Sequence, residues 1–142
     1  MYRRIVVGTD GSGRAGAAIE HAASLAQMSG ASLHLVQGCG SPIVTSPIYG
    51  EAAAFNPAEI VDACEAELQP LRDELAGRGI DVSIHVLPTS GQGALCDVAS
   101  EIEADLIVVG NRGMTGARRL LGSVPNSVAH HAPCSVLIVA TE

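Results

Sequence analysis

Leu106-Ile107-Val108-Val109-Gly110-Asn111-Arg112-Gly113, followed after eight residues by Gly122-Ser123-Val124-Pro125, is the stretch that decides the fold. Its first four residues are apolar, three of them β-branched, and a glycine bounds them, which is the pattern of a strand buried in a parallel sheet. After the gap a helix begins: Ser123 is a capping residue, and Pro125 fits only a first turn, where its missing N–H breaks no helical bond. Between the two lies a glycine-rich loop. Glycines let main-chain N–H groups approach an anion with no Cβ in the way, and a helix start adds the positive end of its dipole. Open α/β sheets bind ligands at such loops, beyond the carboxyl ends of their strands. Gly110, Arg112, Gly113, Gly122 and Ser123 are therefore candidate phosphate-binding residues, with Arg118 and Arg119 in the same loop. The competing reading is a surface loop with solvated arginines.

Outward from this stretch, apolar runs alternate with helical spacings. Ile5-Val6-Val7 predicts a first strand, ending at Gly8-Thr9-Asp10-Gly11-Ser12-Gly13. From Ala15 to Met28 the spacing of Ile19, Ala22, Ala23 and Ala26 gives a helix one apolar face, closed by Gly30. Leu33-His34-Leu35-Val36 predicts the second strand. Residues 38–57 are rich in Gly, Pro, Ser and Ala without periodicity and read as a long loop or lid. Ile60, Cys64, Leu68, Leu71 and Leu75 mark a long helix ended by Gly77 and Gly79, which Pro70 is expected to kink or restart. Ile80 to Val86 predicts a third strand, Ala94 to Ile102 a third helix, Val124 to His131 a short fourth, and Ser135 to Ala140 the last strand.

This βαβαβαβαβ order implies a single domain over residues 1–142 with an α/β fold. Its expected core is one open five-stranded parallel sheet of order 3-2-1-4-5, with right-handed crossovers and helices on both faces. The crossovers from strands 1 and 4 then leave in opposite directions and open a crevice at which Asp10 and Gly110 both fall.

Composition narrows the chemistry. A formal charge of −7, with no basic stripe or aromatic platform, argues against nucleic acid. All eight basic residues are arginine, so no lysine serves as a phosphate ligand, Schiff base or general base. The cysteines, at 39, 64, 96 and 134, form neither C-x-x-C nor a metal-finger spacing and are expected to be reduced, small core residues. Arg3-Arg4 leads straight into a strand and no apolar run nears the ~18 residues of a membrane span, so the expectation is a soluble, cytoplasmic protein with no membrane partner.

His34 and His85 fall in strands as packed or edge residues, and His130-His131 lies at a helix end, where a cation complements the dipole. No histidine has a triad partner at informative spacing, no catalytic residue is assigned, and no metal-ligand spacing occurs. Gly11-x-Gly13-x-x-Gly16 has the spacing of a dinucleotide fingerprint. However, Asp10 would sit beside the pyrophosphate, and the second strand ends at Val36-Gln37 rather than in an acid that could hold a ribose. A glycine-rich turn, with Asp10 capping the first helix or facing a ligand, reads better.

Four segments in order resemble the universal stress protein family over essentially the whole chain: Ile5-Val6-Val7-Gly8-Thr9-Asp10-Gly11-Ser12, the run Ala104 to Gly110, the glycine loop, and Ala132-Pro133-Cys134-Ser135-Val136-Leu137-Ile138-Val139. The resemblance implies a Rossmann-like, adenine nucleotide alpha hydrolase-like fold. Family members that bind ATP carry Gly, two residues, Gly, nine residues, then Gly and Ser or Thr. Gly110, Gly113, Gly122 and Ser123 match, but the second interval is eight residues here. The shorter loop is either absorbed at its tip or draws Arg118 or Arg119 into the site. By the same likeness, Gly8, Thr9 and Asp10 approach the nucleoside, main-chain groups of Val36 meet the adenine edge, and Val109 lines the base or ribose. Gly122, Ser123, Val124 and Pro125 then hold phosphates, with Pro125 offering no N–H.

The resemblance also implies a homodimer paired through the last strand, whose Val136 and Ile138 form an apolar edge that needs covering. The expected function is a nucleotide-binding regulatory module of the stress response, binding ATP with Mg²⁺ carried on its phosphates and Asp10 as an outer ligand. Efficient catalysis is not expected, because no general base or carboxylate pair stands by a γ-phosphate. The alternatives are slow ATP hydrolysis or autophosphorylation on Ser123 or Thr115, a cyclic-AMP binder whose shortened loop suits one phosphate, and a structural dimer without nucleotide.

Overall fold

Five runs of apolar, largely β-branched residues form one parallel sheet in the computed structural model, which describes residues 1–9, 15–40, 56–111 and 124–140. The strands are β1 (Arg4–Gly8), β2 (Ser32–Gly38), β3 (Val82–Leu87), β4 (Leu106–Gly110) and β5 (Ser135–Val139). They lie in the order β3-β2-β1-β4-β5, as the alternation of elements predicts. The helices are α1 (Ala17–Ser29), α2 (Pro57–Ala76), α3 (Gly91–Glu101) and α4 (Val124–His131).

Strand periodicity sorts the core into two layers. Ile5, Val7, Leu33, Leu35, Leu106 and Val108 face one side, under Ile19, Ala22 and Ala26 of α1 and Leu68, Leu71 and Leu75 of α2. Val6, Val36, Ile107 and Val109 face the other, under Ala94, Leu95 and Val98 of α3 and Val128 of α4. The near absence of large aromatics suits this arrangement, since alanine-faced helices sit close to a sheet of Val, Ile and Leu.

Helix ends follow local chemistry. Gly30 closes α1 in the left-handed conformation, φ 74°, and its N–H donates to the Ala26 carbonyl. The start of α2 comes earlier than the apolar spacing predicts, because Asn56 caps it, its Oδ1 accepting from the Ala58 N–H at 3.1 Å, and Pro57 takes the first turn. Likewise α3 begins at Gly91, where the Ser90 hydroxyl accepts from Gly93 N–H at 3.0 Å.

Of the two outcomes expected at Pro70, a kink or a restart, the restart does not occur: the helix is continuous from Pro57 to Ala76. Pro70 lies on the exposed side, where water can satisfy the carbonyl it leaves unbonded, while buried Leu68, Leu71 and Leu75 hold the other side to the sheet. Arg78 then ties the end of α2 to α1, its guanidinium forking onto Glu20 at 2.8 and 3.1 Å and reaching Glu74 at 2.9 Å. Asp105 does similar work at the amino end of the sheet, accepting from the Arg3 and Arg4 N–H groups at 2.7 and 2.9 Å.

His34 and His85 lie on the side of β2 and β3 that α3 only partly covers. Their Nδ1 and Nε2 atoms are 2.9 Å apart, and His34 Nε2 also meets Ser32 Oγ at 3.0 Å. Burial first, then the charge of His85, holds His34 below its ordinary 6.5, against the pull of Asp81. His85 is held down by burial, against Glu101. Both folded pKa values therefore lie below the unfolded ones, and the unfolded chain binds more protons as pH drops through about 6.5. Stability should fall on acidification from about pH 7 through 6.5, levelling only once the depressed folded pKa values are passed. Thermal melts of the chain and of a His34→Gln/His85→Gln variant check this. An equally steep pH slope in the variant would show that other groups set it.

Candidate functional site

The two central strands part at their carboxyl ends. Pairing between β1 and β4 runs through Ile5↔Leu106, Val6↔Ile107 and Val7↔Val108 and stops there. Beyond that point β1 stays with β2 as Gly8↔Val36, and β4 stays with β5 as Val109↔Ile138 and Gly110↔Val139. The chain leaves β1 for β2 through α1 and leaves β4 for β5 through α4, so this split is the topological switch point of the sheet.

One wall of the crevice is built from the ends of β1 and β2. The Thr9 N–H donates to the Val36 carbonyl at 2.9 Å, and the Thr9 hydroxyl donates to Gln37 Oε1 at 3.4 Å. Val36 has a buried side chain, so it offers a ligand only its main chain, where the carbonyl keeps one lone pair after serving Thr9. Gly8 lies hard against α3: a Cβ there would sit 3.3 Å from Leu95 Cδ1. On the other wall, Val109 is buried under α3 and α4, and the Asn111 N–H donates to the Val139 carbonyl at 2.9 Å. Val124 opens α4 half-buried, near Gly91 of α3, and Pro125, its second residue, is buried.

The fold thus brings Gly8, Thr9, Val36, Val109 and Gly110 to one edge, with Val124 and Pro125 at the start of the helix that follows β4. Asp10, Arg112, Gly113, Gly122 and Ser123 lie outside the described residues, as do Thr115, Arg118, Arg119 and most of the expected 38–57 lid.

Two features of this edge escape sequence reasoning. Gln37 links Thr9 to Cys64, its Nε2 donating to the sulfur at 3.7 Å. The cysteines are not core residues as expected: all four are only half-buried, and Cys39 and Cys64 touch, Sγ to Sγ 3.2 Å. Cys39 follows the last residue of β2 and Cys64 lies on α2, and both pack against the margin of the core layer that holds the α2 leucines. Burial pushes the Cys39 thiol up to about 11, and it raises the Cys96 and Cys134 thiols too. Nothing in the spacing of residues 39 and 64 signals the contact, which only the crossover from β2 creates. No described helix is long and apolar enough to cross a membrane.

The sequence profile of the universal stress protein family matches residues 1–140. A universal stress protein of Methanocaldococcus jannaschii is 31% identical over 141 residues, covering 98% of this chain and 82% of its own length. A putative universal stress protein of Staphylococcus aureus USA300 is 30% identical over 148 residues, covering 99% and 86%. Among solved structures, a universal stress protein crystallised in complex with cAMP is 34% identical, with a TM-score of 0.66 over 99% of this chain and 98% of the other. A universal stress protein from Lactobacillus plantarum, 21% identical with a TM-score of 0.64 over 97% of each chain, shares the fold.

Proposed function

Because this chain belongs to the universal stress protein family, we propose that it is an adenine-nucleotide-binding regulatory module of the stress response, taking ATP with Mg²⁺ on its phosphates. The observation that carries this is the parting of β1 from β4 beyond Val7↔Val108, at the end of the strand that leads into α4. A nucleoside placed there meets Gly8, Thr9 and Asp10 on one wall, the Val36 main chain at the adenine edge, and Val109 at the base or ribose. Gly110, Arg112, Gly113, Gly122, Ser123, Val124 and Pro125 receive the phosphates, with glycine N–H groups and the α4 dipole supplying positive charge in place of a lysine. The protein acts in the cytoplasm as a homodimer through β5, an edge strand whose Ile138 is 47% exposed.

One observation favours a second reading, cyclic AMP as the ligand. The 34%-identical neighbour was solved with cAMP, and the interval between Gly113 and Gly122 is eight residues rather than nine, a length that suits one phosphate.

Thermal melts with ATP, ADP, AMP and cAMP, each with and without Mg²⁺, separate the two. A ligand that binds only the folded chain raises its stability by about 2.7 kcal/mol at one hundred times Kd. Stabilisation growing with phosphate number supports ATP, and a preference for cAMP supports the second reading. In Gly113→Val or Gly122→Val, affinity should fall at least about tenfold, or about 1.4 kcal/mol, because a Cβ then stands where main-chain N–H groups meet the anion. Melts that none of these ligands shifts would sink both readings.

A further inference from the structure

We propose that Cys39 and Cys64 form a reversible dithiol–disulfide site that ties the carboxyl end of β2 to the first half of α2. The two sulfurs lie 3.2 Å apart, with the Cys39 S–H donating to Cys64, so roughly 1 Å of approach reaches the bonded separation of ~2.05 Å. Both sulfurs are free thiols, and both pack against the core layer that contains the α2 leucines. Each is also anchored. The Cys39 N–H donates to the Leu87 carbonyl at 2.9 Å, and Cys64 stands one helical turn before Leu68, which is fully buried. Two side chains meeting by chance on a surface would have neither restraint.

The oxidant is a small disulfide such as glutathione disulfide. One cysteine thiolate attacks it and expels a glutathione thiolate, leaving a mixed disulfide on the protein. The second cysteine attacks the protein sulfur of that bond and expels the other. One S–S bond forms for the one that breaks, the two cysteines lose two electrons to the glutathione pair, and both protons end on glutathione. The Cys39 thiol, raised to about 11 by burial, holds little thiolate at neutral pH. The pair therefore follows a sustained thiol–disulfide balance rather than a burst of oxidant.

Closing the ring from residue 39 to residue 64 removes freedom from the unfolded chain. It also fixes α2 next to Gln37, which donates to Cys64 at 3.7 Å and accepts from Thr9 at 3.4 Å. On the nucleotide reading above, the tie reaches the nucleoside wall of the crevice through Thr9 and changes nucleotide affinity.

The whole chain is equilibrated with glutathione disulfide or with dithiothreitol, then compared by thiol titration, intact mass, peptide mapping and thermal melting. Oxidation should remove two of the four titratable thiols, lower the mass by about two hydrogens, yield a Cys39–Cys64 linked peptide, and raise Tm by roughly 5–10 °C. Cys39→Ser or Cys64→Ser should abolish the shift, and a Cys96→Ser/Cys134→Ser variant should keep it. Four free thiols after oxidation, glutathione adducts alone, or a crosslink between other cysteines would overturn the site. Titration of ATP against both forms tests the link to the crevice: a Kd change of threefold or more supports it, and equal values overturn it. If neither form binds nucleotide, the link falls with the nucleotide reading, and the crosslink is judged by the thiol count.

Discussion

Gly38→Ala should destabilise the chain by about 3 kcal/mol, the upper end of overpacking costs, although it adds a single methyl group. A Cβ on Gly38 would lie 2.5 Å from the Thr89 carbonyl oxygen, 2.5 Å from the Ser90 carbonyl carbon and 2.6 Å from the Ser90 oxygen. All three are backbone atoms, so no side chain can swing away to make room. Their positions are fixed on both sides: the Gly40 N–H donates to the Thr89 carbonyl at 2.8 Å, the Ala94 N–H to the Ser90 carbonyl at 2.9 Å, and the Ser90 hydroxyl caps α3. Relief requires moving the β3–α3 junction away from the end of β2, which loosens these bonds together. Urea unfolding should show a lower midpoint at similar slope, with Tm down by roughly 10 °C. Gly91→Ala is the control, because its Cβ meets only Val124 Cγ2 at 4.0 Å, and a helical position gains from losing a glycine. If G38A melted within a degree or two of the parent chain, the close approach of β2 to Thr89 and Ser90 would be wrong.

Gly38 also marks where the sequence stops being informative. The strand cores were legible because each is a short apolar run with a glycine or polar neighbour, and the helices because their apolar residues recur at three- and four-residue steps. Strand order was legible for a related reason: right-handed crossovers leave few ways to wind five parallel strands. Element ends were less so. Asn56-Pro57 is a helix start written in side-chain chemistry, but it lies in a stretch whose glycines and prolines suggest only a loop, and Gly91 and Gly93 hide the first turn of α3 in the same way. Pro70 reads as a kink or a restart because its sequence position says nothing about which side of α2 faces water.

At the candidate site, the position of Gly110 at the crevice was legible because open parallel sheets part at the carboxyl ends of their central strands, and the split beyond Val7↔Val108 falls where the strand order requires it, whereas Gly8 and Thr9 were drawn from the family likeness. Contacts such as Thr9 with Gln37, or Cys39 with Cys64, join residues far apart in the chain and leave no periodic trace. They depend on the height at which each helix returns across the sheet, and packing sets that height.

Packing is tested most severely by Leu35→Ala. Leu35 is fully buried on β2, paired with Val7 of β1 on one side and Ile84 of β3 on the other, and it faces the layer filled by α1 and α2. Burying a leucine side chain is worth about 1.5–3 kcal/mol, and truncation adds the cost of whatever cavity remains, giving a range of about 2–5 kcal/mol. The upper half of that range is expected. The backbone at Leu35 is held by ladders to both neighbours and cannot sink into the void, while Leu68, Leu71 and Leu75 are held by a helix tied to α1 through Arg78. Against a total stability of about 5–15 kcal/mol, a loss near 4 removes from about a quarter to most of it. The comparison is Ile138→Ala on β5, where a 47% exposed side chain has little to lose in a lone chain. Equilibrium unfolding of both variants at two protein concentrations separates the cases. L35A should lose about 4 kcal/mol at either concentration, since its cavity is internal. I138A should lose well under 1 kcal/mol as a monomer, and more, in a concentration-dependent way, where β5 is covered by a second copy. A Leu35→Ala loss below about 1.5 kcal/mol, less than the transfer cost of the side chain alone, would mean that the sheet and α2 are not packed against each other at this residue.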